Sequence, residues 1–319
     1  MTHTAKTFLI TGVSGGLGRA FATAALEAGH TVVGTVRNGT DAAAFTALHP
    51  ERAHARILDV TDDEAVFAVT GEVEEAIGPI DVLIANAGYG LEGTFEETSL
   101  ADLRAQFDVN VFGAAATIQA VLPFMRQRRR GHILAVTSMG GLASFPGVSA
   151  YCGSKYALEG ILEAIGKEVA AFGIHVTAIE PGSFRTDWAG RSMVRAPRTI
   201  PDYDDLFEPI RAARQKASGR QLGNPARAAS ALLRILDTPD PPAHLVLGSD
   251  ALRLVRAGRE AVDHDLDTWQ DLTLPPTSRR PTGITGGRIQ PERSLARRID
   301  PSSCRMPTTW PPDPNTSRR

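Results

Sequence analysis

Residues 7–18 read TFLITGVSGGLG and run on into RAFATAALEAG (19–29). Residues 7–11 are apolar or β-branched and read as a strand. From Leu17 onward apolar residues recur at helical spacing, and Gly29 ends the run. Between them lies a turn in which Gly12, Gly16 and Gly18 stand at G-x-x-x-G-x-G spacing, with Ser14, Gly15 and Leu17 in the gaps. A tight turn needs backbone freedom. Close approach to a pyrophosphate leaves no room for a Cβ, and a helix N-terminus offers unpaired N–H groups to anionic oxygen. Many glycine turns are only turns, but this one has a strand before it and a helix after it, which makes it a candidate dinucleotide-binding turn.

The same alternation continues outward. Strands are expected at 31–36, 55–58, 82–85, 132–136, 174–179 and 244–248, and helices at 41–48, 62–77, 99–127, 150–171 and 225–237. The strand runs are apolar throughout, as suits strands covered on both faces. Strands separated by helices of this length imply right-handed crossovers. The expectation is an α/β fold, a doubly wound parallel sheet of about seven strands in a single domain over residues 1–274. Residues 185–223 form a long excursion beyond the sixth strand, where such sheets place a substrate lid. Residues 275–319 are rich in Pro, Arg, Ser and Thr without periodicity and read as a disordered tail.

Composition narrows the function classes. The 319 residues carry a net charge of −2, which gives no nucleic-acid signal. MRQRRR (125–130) closes a predicted helix, where cations complement the dipole. The two cysteines, Cys152 and Cys304, do not make a disulfide framework. No secretory pattern opens the chain, and no apolar run approaches the ~20 residues of a membrane span. A cytoplasmic protein without membrane or nucleic-acid partners, and without a metal, is expected.

Lysine occurs at 6, 155, 167 and 216, and tyrosine at 89, 151, 156 and 203. Tyr151 and Lys155 stand four apart in SAYCGSKYALEG (149–160), so they share one face of a predicted helix. An ordinary tyrosine titrates near ~10, and bringing it to ~7 takes about 4 kcal/mol of preferential phenolate stabilisation. An adjacent ammonium in a partly dry cleft acts in that direction. An exposed helix-face pair is the bland alternative. At the end of the second strand stands Arg37, with no carboxylate. An Arg there suits a 2′-phosphate and hence NADP(H), with NAD(H) the alternative; a solvated Arg at a strand end is the bland reading.

Further motifs follow the strands in order. Asp59 lies in LDVTD, Asn86 in ANAG (85–88), Asn110 in FDVNVFG, Ser138 in AVTSMGG thirteen residues before Tyr151, and PGSFRT spans 181–186. In this order and spacing the set resembles the short-chain dehydrogenase/reductase family in its compact, single-domain, Rossmann-type form, over 6–271. The resemblance implies a nicotinamide-dependent oxidoreductase acting on a carbonyl/alcohol pair. It makes Tyr151 the acid/base, Lys155 its electrostatic partner and a ribose contact, and Ser138 the donor to the substrate oxygen. Asn110 becomes a proton-relay residue, though a satisfied buried amide is the alternative. Asp59 with Val60 would meet the adenine, Asn86, Ala87 and Gly88 the adenosine side, and Pro181, Gly182, Phe184 and Thr186 the nicotinamide. For Asp59 a helix-end charge is the alternative, and for Thr186 a cap. The family's usual Asn-Asn-Ala-Gly is here Ala85-Asn86-Ala87-Gly88. YCGSKYALEG and EPGSFRTDWAGRSM are similar to members acting on steroid, retinoid or other apolar alcohols and ketones. Tyr89, Phe145, Val148, Trp188 and Met193, with Ser138, are the candidate substrate contacts, and a homodimer or homotetramer is expected. A dinucleotide-binding scaffold without turnover, or an epimerase or dehydratase on the same tyrosine, are the rival readings.

Overall fold

The computed structural model describes residues 5–274. The chain divides into a unit spanning Met1–Thr268 and a second beginning at Trp269, of which the helix Gln270–Thr273 is described. The tail expected at 275–319 lies outside the described residues.

The first unit opens with β1 (Thr7–Ile10), α1 (Gly16–Glu27), β2 (Thr31–Val36), α2 (Gly39–Thr46), β3 (Ala53–Ile57), α3 (Asp63–Ala76) and β4 (Ile80–Ala85). It continues through β5 (Gly90–Glu92), α4 (Leu100–Phe107), α5 (Ala114–Arg128), β6 (Gly131–Val136), α6 (Ser149–Val169) and β7 (Ile174–Pro181). Last come β8 (Met193–Arg195), α7 (Asp204–Ala217), α8 (Pro225–Leu236), β9 (His244–Leu247) and α9 (Ser249–Thr268). Seven strands form one parallel sheet in the order β3-β2-β1-β4-β6-β7-β9. Strand order reverses between β1 and β4, so a crevice opens there beyond the strands' C-terminal ends.

Successive side chains on a strand point to opposite faces. Phe8 and Ile10 join Phe21, Ala25 and Leu232 of α1 and α8 in one buried cluster. Leu9 joins Ile118, Val121, Met125, Leu158 and Leu162 of α5 and α6 in another. Both faces of β1 are therefore core, which is why the strand runs carry no polar alternation. Local caps set the helix starts: Asn38 and Asp62 accept from the third-residue N–H of α2 and α3, and Asn224 precedes Pro225 at the start of α8.

The structure departs from the sequence-based expectation in three places. The helix expected over 99–127 is broken into α4 and α5 by a π-helical turn, Asp108–Gly113. The combined stretch Leu100–Arg128 is long and apolar enough by composition to cross a membrane, yet Ala114, Ile118, Val121 and Met125 spend that apolar character in the core. The excursion at 185–223 carries elements of its own: β8 pairs in parallel with β5 as a separate two-stranded ribbon, and α7 follows. The helix α9 was unforeseen, although Ala251 and Val255 bury at helical spacing.

The segment 185–223 is anchored through buried charge. Glu97, whose side chain is fully buried, binds the Arg198 guanidinium and accepts from Thr199 N at 2.6 Å and Ile200 N at 2.9 Å. Glu92 on β5 pairs with Arg195 of β8 at 3.0 Å and with Arg214 of α7.

Candidate active site

A cavity of about 1000 Å³ opens at the crevice. Its wall includes Gly12, Ser14, Gly15, Gly16 and Leu17 at one part, Arg37, Asp59 and Val60 at another, and Asn86, Ala87 and Gly88 between β4 and β5. Ser138, Tyr151, Lys155, Pro181, Gly182, Phe184 and Thr186 also line it, with Tyr89, Phe145, Val148 and Trp188. Three candidates do not line the wall. Gly18 lies beneath the turn, Asn110 is buried behind Gly88, and Met193 packs against Gly90 in the ribbon.

The glycine turn is built as its spacing implies. Gly12 and Gly16 adopt φ of +74° and +60°, which L side chains rarely take. A Cβ on Gly18 would come within 2.3 Å of the Gly12 carbonyl oxygen, so glycine is required there for close packing rather than ligand approach. The N-terminus of α1 has no side-chain cap, which leaves its first-turn N–H groups available to an anion. Asn86 fixes the turn to the end of β4: its Nδ2 donates to the Thr11 and Gly12 carbonyls at 2.9 and 3.0 Å.

At the far end of β2, Arg37 is exposed and lines the cavity beside Asp59. The Asp59 carboxylate accepts from Thr61 N at 3.0 Å and from Thr61 Oγ1 at 2.8 Å. These bonds, with a smaller contribution from the Arg37 charge, hold its pKa below the usual carboxylate range. The side-chain cap of α3 is Asp62 rather than Asp59.

α6 carries Tyr151 and Lys155, both buried. Lys155 Nζ donates to the Val136 carbonyl at 2.8 Å, which fixes the ammonium under the end of β6. Ser138 Oγ accepts from Gly140 N at 3.0 Å. The Tyr151 ring packs 5.1 Å from Trp188 of the lid region. Burial pushes the Tyr151 phenol up to about 12, against a hydrogen bond from Ser138 that acts to lower it. Burial brings Lys155 down to about 8. Burial of the phenol thus outweighs the Ser138 hydrogen bond.

Asn110 sits inside the π-helical turn. Its Nδ2 donates to the Tyr89 carbonyl and to Ser154 Oγ, both at 3.1 Å, and its Oδ1 accepts from Tyr89 N at 3.1 Å. A Cβ on Gly88 would lie 3.0 Å from that oxygen and 3.6 Å from Lys155 Nζ, so the amide stands directly behind Gly88 and close to the lysine. Thr186 lines the cavity and also accepts from Trp188 N at 3.3 Å as a cap.

Met193 is a correction: as a strand residue pairing Gly90 it faces the ribbon, while its neighbours Ser192 and Val194 line the cavity. Other wall residues went unnamed from sequence, including Met139, Ile210, Arg191, Arg214 and Leu254. Arg191 overhangs the glycine turn, since a Cβ on Gly15 would lie 3.2 Å from its Nη2. Nothing in the local spacing marks a lid arginine for that position. Cys152 is buried, its thiol pushed up by burial, and it is no nucleophile by this environment.

Comparison with known proteins agrees with this geometry. The family model described as short chain dehydrogenase matches residues 6–194. The chain is 37% identical to Oxidoreductase BOA17 of Botryotinia fuckeliana over 84% of its own length and 98% of that protein. It is 34% identical to Retinol dehydrogenase 8 of Homo sapiens over 76% of its length and 81% of that protein. A crystal structure of a short-chain dehydrogenase from Streptomyces avermitilis superimposes with a TM-score of 0.80 at 41% identity, covering 86% of this chain and 98% of that one.

Proposed function

Because this chain belongs to the short-chain dehydrogenase family and is a nicotinamide-dependent oxidoreductase, we propose that it works with NADP(H) on the carbonyl/alcohol pair of an apolar small molecule, with Tyr151 as general acid/base. The observation that carries the reading is continuity. One cavity joins the uncapped N-terminus of α1 to the Ser138, Tyr151 and Lys155 side chains.

The cavity fits a dinucleotide. Gly12, Gly15 and Gly16 with the α1 N-terminus would hold the pyrophosphate, Asp59 and Val60 the adenine, and Thr186 with Pro181 and Gly182 the nicotinamide. Arg37, exposed at the β2 end, supports a 2′-phosphate over a free hydroxyl. A nicotinamide held there would supply the hydride chemistry for the substrate carbon and, in its oxidised form, positive charge that favours the phenolate.

The chain's own groups handle the proton. Ser138 donates to the substrate oxygen as charge develops there. In reduction Tyr151 passes its phenolic proton to that oxygen, and in oxidation the phenolate takes it back. Lys155, held by the Val136 carbonyl, stabilises the phenolate. Asn110, fixed by Tyr89 and Ser154, stands where a relay behind the lysine would run. Phe145, Val148, Trp188, Val194, Ile210 and Leu254 give the substrate end an apolar wall, in keeping with a relative named for retinol.

A cytoplasmic setting and a homo-oligomer belong to the same reading. The free buried thiol of Cys152 supports the first. Exposed Leu100, Phe112 and Tyr156 on α4, the turn after it and α6 support the second. The decisive experiment is NADPH consumption against a panel of apolar ketones and aldehydes, with cofactor-only thermal shift as control. Net oxidation of NADPH is expected. Binding without turnover across the panel would leave a scaffold, and conversion without net cofactor change an epimerase or dehydratase.

A further inference from the structure

Tyr151, Lys155 and Glu159 stand at successive steps of four along α6, and all three are buried. Residues four apart on a helix are neighbours on one face, so the stripe continues one turn past the lysine as a carboxyl. On β7 the Glu180 side chain is fully buried, and His244 on β9 bonds Glu180 Oε1 through Nδ1 at 2.6 Å. The same Nδ1 lies 3.5 Å from Glu159 Oε2. Among the described residues, neither Glu159 oxygen nor Glu180 Oε2 has a hydrogen-bond partner. The Thr137 hydroxyl near them is committed to the Ile179 carbonyl at 2.9 Å. Gly141 closes one side, since a Cβ there would lie 2.9 Å from Glu159 Cγ and 3.0 Å from the Lys155 carbonyl oxygen.

Two buried carboxylates beside one imidazole cannot both stay ionised without large cost. Glu180 takes the short bond to His244, and Glu159 is left over, one helical turn from Lys155. We propose that Glu159 is a positioning residue for Lys155: its carboxylate holds the ammonium in the charged form, and protonation of that carboxylate releases the hold. The proposal rests on Lys155 serving Tyr151 as described above. The groups facing Glu159 are Lys155 on its own helix, Thr137 after β6, Glu180 on β7 and His244 on β9, with Glu163 within reach of His244. Burial pushes Glu159 up to about 7, with the Glu180 charge adding to the rise, while the nearby Thr137 hydroxyl and, after it, the His244 and Lys155 charges pull it down. Lys155, brought to about 8 by burial, is raised in turn by Glu159. The two groups therefore titrate over the same range and respond to each other.

The chain has four lysines, so ¹³Cε-lysine NMR of the full, ligand-free protein resolves Lys155, assigned by the signal lost in Lys155→Arg. In Glu159→Gln the Lys155 midpoint is expected to fall by about half to one pH unit, and the inflection near 7 seen in wild type should vanish. His244→Asn, at an exposed position, removes a charge that lowers the Glu159 pKa, so it should move that inflection upward. With NADPH and 9,10-phenanthrenequinone as probe, wild type and Glu159→Gln should give equal kcat/KM below about pH 6 and part by roughly three- to tenfold by about pH 9. A merely structural carboxyl would lower the rate alike at every pH. An unchanged Lys155 midpoint in Glu159→Gln overturns the proposal, as does an unmoved inflection in His244→Asn should the first variant not fold. An inflection that EDTA abolishes assigns the cluster to a bound cation and overturns it as well. The NMR result stands without turnover, so its failure is separable from failure of the oxidoreductase mechanism.

Discussion

The Lys155 ammonium stands 5.9 Å from the centre of the Tyr151 ring and is pinned by the Val136 carbonyl rather than by the phenol. Tyr151→Phe removes the proton and keeps the ring, its Trp188 contact and the lysine's anchor. Turnover should drop about a thousandfold, within the range that general acid–base catalysis contributes, while NADPH affinity stays near that of wild type. Steady-state kinetics beside a fluorescence titration reads both; activity within about tenfold of wild type removes Tyr151 from the acid/base role.

Arg37 gives the cofactor preference its sharpest test. Arg37→Ala should raise KM for NADPH about ten- to a hundredfold, as loss of a charge-assisted contact to phosphate implies, and leave KM for NADH nearly unchanged. An unaltered NADPH/NADH ratio would return Arg37 to the status of a solvated strand end.

His132 predicts an acid limb of stability. The ring is buried on β6, and its Nε2 is 2.9 Å from Thr177 Oγ1. That hydroxyl donates to the Pro242 carbonyl at 2.7 Å, so Nε2 is the donor in this pair. Burial lowers its pKa to about 3, so between about 3 and 6.5 the unfolded chain binds the extra proton. Stability contributed by the neutral ring is complete above 6.5 and is lost as pH falls, by about 2–3 kcal/mol at pH 4.5. The difference in Tm slope over that interval between wild type and His132→Gln should show it; parallel slopes would refute it.

Glu97 predicts the lid's behaviour. Glu97→Ala leaves Arg198 short of one partner and strips the Thr199 and Ile200 N–H groups of their acceptor. Substrate KM should rise about tenfold and limited proteolysis should cut first within 185–223, with a global cost of about 1–3 kcal/mol, since Arg198 keeps Asp204 and Glu208. Cleavage no faster than in wild type would mean that the lid is held elsewhere.

How far the sequence could be read follows from the length of each signal. β1, the glycine turn and α1 were legible because three periodicities meet within two dozen residues. The inner sheet strands were legible because burial on both faces turns each into an apolar run, whereas the edge strands β3 and β9 are only partly covered. β5 and β8 are three residues each and pair across a hundred positions, which no local period records. The π-helical turn at Asp108–Gly113 costs the pattern only a slight slip, so FDVNVFG reads as plain helix even as the turn places Asn110 behind Gly88. Arg191 and Arg214 reach the cavity from a lid whose path only tertiary structure sets. The depth at which the phenol is buried was not legible either: sequence shows the neighbouring charge and hides the burial that pushes the pKa up.

The β5–β8 ribbon has a consequence for redesign. Gly90, Leu91 and Glu92 leave the cofactor side of the crevice, Met193, Val194 and Arg195 arrive from the lid, and Glu92 also grips α7 through Arg214. A specificity segment borrowed from another enzyme and spliced in at 185–223 alone would arrive without its docking strand. Grafts that carry both three-residue halves, together with the acid at 92 and its arginines, transfer a self-consistent module; single-segment swaps sever the stitch and yield chimeras whose guest chamber no longer closes over the phenol.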